Sequence, residues 1–104
     1  MQKIEILAIG TNEDIVKVIV RLINANPWWN ASASLTAVQA TTAINNGHFD
    51  LVLIGAGLQP EEEEGLLKTF NASRPEIAFV KHYGGGSGLL FAEIYQALDR
   101  KPAV

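Results

Sequence analysis

Apolar positions along the chain follow two periods that take turns. The stretch Phe49-Asp50-Leu51-Val52-Leu53-Ile54 is an almost continuous apolar run closed by Gly55-Ala56-Gly57. Such a run predicts a strand covered on both faces, the mark of a parallel α/β sheet, and we take it as the central strand. Upstream, Ile4, Ile6 and Ala8 alternate with Glu5 and Leu7 before Ile9-Gly10, which predicts a first strand entering the interior. Thr11 then stands as a helix N-cap, with Asp14 three residues on and Glu13 near the positive end of the helix dipole. Ile15, Ile19, Leu22 and Ile23, with Val16 and Val20 beside them, form an apolar stripe that Asn26-Pro27 ends. Residues 28–34 alternate small apolar with polar side chains, as an edge strand with one wetter face would. Adjacent residues of a strand point to opposite faces, so one of Trp28 and Trp29 enters the core and the other lies nearer solvent. A second helix over 35–46 is rich in Ala and Thr, with Gly47 where a terminating glycine would stand.

The second half repeats the alternation. Pro60 and the run Glu61 to Glu64 start a third helix whose buried side is Leu66, Leu67 and Phe70, closed by Ser73-Arg74-Pro75. Those four carboxylates fan out around the helix and cannot converge on one cation, so they read as a solvated start. A fourth strand, 77–83, runs into glycine-rich residues 84–88. The last helix then buries Leu90, Ile94 and Leu98 with Phe91 and Tyr95 on its flank, and stops at Arg100-Lys101-Pro102.

Composition narrows the function. The 104 residues predict one domain spanning 1–104, and the absence of cysteine excludes disulfides and thiolate metal sites. With a net charge of −3 and no basic cluster longer than Arg100-Lys101, a nucleic-acid surface lacks its electrostatic footprint. No apolar run approaches the ~20 residues of a membrane helix, and Glu5 interrupts any signal-peptide core, so a cytoplasmic protein is expected. His48, before the central strand, reads as a surface histidine.

Seven of the nine glycines (Gly10, Gly55, Gly57, Gly84, Gly85, Gly86 and Gly88) fall just after a predicted strand. This gathers them at the carboxyl edge of the sheet, where parallel α/β proteins keep their functional loops. Only Thr11, Lys81, His82 and Ser87 could do chemistry there, and no triad spacing links them, so we expect no enzyme, no metal and no cofactor. Gly84, Gly85, Gly86 and Ser87 lead into a helix and would present free N–H groups to a small anion, with Thr11, Lys81 and His82 nearby. The same residues would serve equally as a joint with Ser87 as N-cap.

The segment 29–59, with its strand, its short helix ending in Asn46-Gly47 and then His48-Phe49-Asp50-Leu51-Val52-Leu53-Ile54, resembles the middle of a response-regulator receiver domain. Ile4-Glu5-Ile6-Leu7-Ala8-Ile9 with the capped helix after it fits the receiver's opening, and residues 89–98 resemble its final helix. The resemblance implies a flavodoxin-like α/β/α fold with a four-stranded parallel sheet of order 2-1-3-4, one β-α unit having been lost before the last helix. It also implies a degenerate site. The receiver's Mg²⁺-binding acids fall on Gly10 and Thr11, its phosphoacceptor aspartate falls on Gly55, and Lys81 is similar to its phosphate-contacting lysine. Asp50 lies roughly 15 Å from that edge at ~3.3 Å per residue and cannot substitute. Sugar phosphotransferase B components need a cysteine, and cobalamin domains a histidine after the first strand, and neither is present. The reading is a non-enzymatic signalling or protein-interaction module, the alternative being a small-anion-binding domain at the glycine-rich edge. Partners would be another protein or a second copy, met through Phe79, Tyr83, Phe91 and Tyr95, since receivers dimerise through their later strands and last helix and aromatics dominate interface cores.

Overall fold

A computed structural model describes residues 3–82 and 86–99. Strands β1 (Ile4–Ile9), β2 (Trp29–Ser34), β3 (Leu51–Ile54) and β4 (Ala78–Lys81) alternate with helices α1 (Glu13–Asn24), α2 (Ala37–Asn46), α3 (Pro60–Ser73) and α4 (Gly86–Asp99). Every strand pair is parallel and the order is β2-β1-β3-β4, the flavodoxin-like arrangement that the resemblance implied.

Because side chains alternate across a strand, β1 and β3 feed two cores. Ile6, Ala8, Leu51 and Leu53 meet Val16, Ile19 and Ile23 of α1 and Leu90, Ile94 and Ala97 of α4. Leu7, Ile9, Val52 and Ile54 meet Ala40 and Ile44 of α2 and Leu66 and Phe70 of α3. The result is three layers, with α1 and α4 on one face and α2 and α3 on the other. All four β3 side chains are buried. Burying each such residue is worth roughly 1.5–3 kcal/mol, which is why an apolar run with no polar face settles at the centre of the sheet.

Asp50 closes the opposite, amino end of the sheet. Its carboxylate Oδ2 accepts the Glu5 N–H at 2.8 Å, its own N–H donates to the Glu5 carbonyl at 2.8 Å, and its carbonyl accepts the Ala78 N–H at 3.1 Å. His48 is exposed, as expected, and lies 3.2 Å from the other Asp50 oxygen. At β2 the tandem tryptophans separate: Trp29 is 4% exposed and Trp28 53%. The Trp29 ring packs on Phe91 and Tyr95 of α4 at centroid distances of 6.0 and 5.1 Å.

Several expectations are corrected. The N-cap of α1 is Asn12, not Thr11, and its Oδ1 accepts the Ile15 N–H at 3.1 Å. The reason lies in β1: sheet pairing continues past its end, Gly10 donating to the Ser34 carbonyl at 3.1 Å, so the turn into α1 starts one residue later. With the helix phased on Val16, Ile19 and Ile23, Ile15 falls off the buried stripe and is 58% exposed. Gly47 is extended at φ −130°, so no left-handed cap forms there. The glutamates of α3 are not all solvated. Glu62 accepts the Gln59 N–H at 3.1 Å in a capping box, and Glu63 pairs with Lys81. The last helix begins at Gly86, so Gly86, Ser87 and Gly88 are helical and Ser87 is not the N-cap. Glycine costs about 1 kcal/mol relative to alanine inside a helix but does not forbid it, and burial of Leu90 and Ile94 anchors the turn that follows.

Candidate functional site at the carboxyl edge of the sheet

Three strands are tied together where they end. The Gly55 N–H donates to the Ile9 carbonyl at 2.7 Å and the His82 N–H to the Ile54 carbonyl at 2.9 Å, extending the ladders one residue past β3 and β4. The glycines there are set by crowding. A Cβ at Gly55 would lie 2.9 Å from the Ile9 carbonyl oxygen, and one at Gly10 would lie 2.8 Å from Val16 Cγ2. Gly57 has a φ of +108°, in the left-handed region, and its missing Cβ would stand 1.8 Å from Thr11 Oγ1. Thr11 is therefore packed against the β3–α3 loop.

Lys81 and His82 are neighbours in sequence but go to opposite faces. Lys81 reaches α3, where its Nζ lies 2.8 Å from Glu63 Oε1; that carboxylate is only 13% exposed. His82 turns toward α4 and is 7% exposed, with Nδ1 held by the Glu93 carboxylate. The residues expected to form one anion site, Thr11, Lys81, His82, Gly84, Gly85, Gly86 and Ser87, are thus distributed. Thr11 sits on Gly57, Lys81 on the α3 side, His82 on the α4 side, and Gly86 and Ser87 within a helix, while Gly84 and Gly85 lie outside the described residues. Among the described residues no group of three His, Cys, Asp or Glu is placed to hold a metal ion. No helix among them is long and apolar enough to cross a membrane.

The four expected interface aromatics are also divided. Phe79 packs with the core between the sheet and α2–α3, whereas Phe91 packs on the opposite core and Tyr95 lies tilted against Trp29 beside it. Tyr83 lies outside the described residues. Alternation along β4 is the cause, since Phe79 stands between Ala78 and Val80, both of which face α4's layer.

What the sequence reading missed is Glu93 and the space beside its partner. Glu93 lies between Leu90 and Ile94 on α4, an acid on the buried side of a helix, and that position was its signal. A cavity of about 470 Å³ lies between α1, the ends of β1 and β3, and Leu90 of α4, with His82, Asn12 and Asp14 among its lining residues.

No protein-family model matches the chain and no curated protein does. Solved structures do resemble it. A signal receiver domain of an HD domain-containing protein from Pseudomonas fluorescens Pf-5 superposes with a TM-score of 0.81 at 19% identity, over 95% of this chain and 89% of that one. A CheY-like response regulator receiver domain protein from Methanospirillum hungatei JF-1 gives 0.80 at 18% identity, over 94% and 95%. The response regulator TrrA of Thermotoga maritima, in complex with Mg(2+)-BeF, gives 0.78 at 9% identity, over 94% and 100%. The chain has the fold of a response-regulator receiver domain.

Proposed function

We propose that this chain, starting from the receiver fold, is a single-domain cytoplasmic signalling module that works by binding a protein and transfers no phosphoryl group. The observation that carries the reading is the packing at the ends of β1 and β3. On the resemblance, Gly55 stands where the phosphoacceptor aspartate would be, and Gly10 and Thr11 where the Mg²⁺-binding acids would be. A phosphoryl acceptor needs a nucleophile and a hard cation needs oxygen ligands, and glycine supplies neither. The positions are also crowded, because any side chain at 55 begins 2.9 Å from a backbone carbonyl of β1.

The partner in this reading is a second copy of the chain. Among the described residues β4 pairs with β3 alone, and its apolar residues Ala78, Phe79 and Val80 are only half-buried. On α4, Phe91 is half-buried and Tyr95 is 54% exposed, but both rings lie on Trp29 of β2, at the other edge of the sheet. An isologous two-fold contact of β4 against β4 is the simplest way to cover the β4 edge. Light scattering at tens of micromolar tests it. The expected mass is twice the chain's 11.3 kDa, falling to the monomer value when Ala78→Lys puts a charge beside the β4 edge. A wild-type monomer at that concentration rejects self-association.

A further inference from the structure

The cavity of about 470 Å³ falls within the ~300–1,000 Å³ range of small-molecule sites. Its walls are mainly aliphatic, from Ala8, Val16, Ile19, Leu53 and Leu90, and Ile15 and Val18, 58% and 43% exposed, open it to solvent. Three polar side chains line it. Asn12 already accepts the Ile15 N–H, and Asp14 belongs to the first turn of α1. The third, His82, is more than nine-tenths buried, with Nδ1 held by Glu93. Among the described residues nothing hydrogen-bonds its Nε2, yet no side-chain nitrogen or oxygen is both sealed and unpaired. Nε2 is therefore a reachable polar atom on a buried ring, in a largely apolar space.

We propose that this cavity binds a small apolar molecule carrying one hydroxyl, an alkylphenol or an aliphatic alcohol of similar size, with the hydroxyl on His82 Nε2. The pairing with Glu93 dictates the head group. If His82 is neutral and donates Nδ1–H to Glu93, Nε2 is a bare acceptor and the ligand hydroxyl donates to it. If His82 is an imidazolium, Nε2–H donates and the same hydroxyl accepts. A carboxylate or phosphate would instead meet the Asp14 carboxylate at the mouth of the cavity. An ammonium would shed its hydration against aliphatic walls. A pure hydrocarbon fills the volume and leaves Nε2 unmet. The site does not depend on the proposed dimer, because it opens beside Ile15 and Val18 of α1 and not along β4.

The test is a titration of the full chain, by calorimetry and ¹⁵N amide spectra, with 4-propylphenol, propylbenzene and 4-propylbenzoate. Expected are saturable shifts confined to α1, Gly55, Ala56 and His82, a displaced His82 Nε2 resonance with the phenol, and an affinity for the phenol roughly five- to tenfold above that for propylbenzene, the worth of one net hydrogen bond. His82→Phe abolishes that preference. Should that variant not fold, Ala56→Leu, at an exposed lining position, fills the cavity and weakens phenol binding about tenfold or more through overpacking. Equal affinity for phenol and hydrocarbon, tightest binding of the benzoate, shifts elsewhere, or no saturation up to the solubility limit would each overturn the proposal.

Discussion

At the end of β3 the absence of one methyl group sets how closely two strands can lie. Gly55 donates to the Ile9 carbonyl at 2.7 Å, and a Cβ would be 2.9 Å from that same oxygen. The obstacle is backbone, which cannot rotate away as a side chain would, so we predict that Gly55→Ala destabilises the fold by about 1–3 kcal/mol. Urea unfolding measures this; an unchanged midpoint would mean that β1 and β3 have slack at their ends. That glycines cluster at this edge is legible in the sequence, because composition reports it directly. That Gly55 and Gly57 mark close packing against Ile9 and Thr11 is not legible, since it depends on distances between segments far apart in the sequence. The cap of α1 shows the same limit on a smaller scale. Thr11 and Asn12 are both good caps, and the choice between them rests on where sheet pairing ends.

Among the elements, the alternation of strands and helices could be read from hydrophobic period alone, because β3 is apolar on both faces and α1 keeps a stripe of Val16, Ile19 and Ile23. In α4 the expected burial holds for Leu90 and Ile94, but Leu98 is only partly buried and Ala97 is buried instead, and the helix starts earlier than expected, since glycine carries no signal to distinguish a loop from a first turn. Its pairing of Glu93 with His82 joins the last helix to the end of β4, a contact across 11 residues that no periodicity encodes. The tandem tryptophans give a direct check on β2. Trp29, the first residue of β2, is buried against Phe91 and Tyr95, whereas Trp28 lies in the turn before the strand and stays in solvent. In Trp28→Phe the remaining emission should be blue-shifted relative to that of Trp29→Phe, and Trp29→Ala should cost roughly 3–5 kcal/mol. The reverse order of emission would place β2 one residue out of register, which flips every side chain to the other face.

For the molecule as a whole, the sheet order β2-β1-β3-β4 is the one the resemblance to receivers implied, and given that order the right-handed crossover of parallel strands decides which face each of α1, α2 and α3 covers. The distribution of chemistry was not legible in the sequence. Lys81 and His82 are adjacent, yet the sheet sends one to α3 and the other to α4. What remains is a receiver fold closely packed at Gly10, Gly55 and Gly57, with an apolar cavity on the α1 face and a β4 that pairs, among the described residues, with β3 alone. The central claim is that this molecule signals by binding and not by accepting a phosphoryl group. Intact mass after incubation with acetyl phosphate and Mg²⁺ tests it most directly. The account predicts the unmodified chain at every time point, and a covalent phosphoryl adduct at any residue would contradict it.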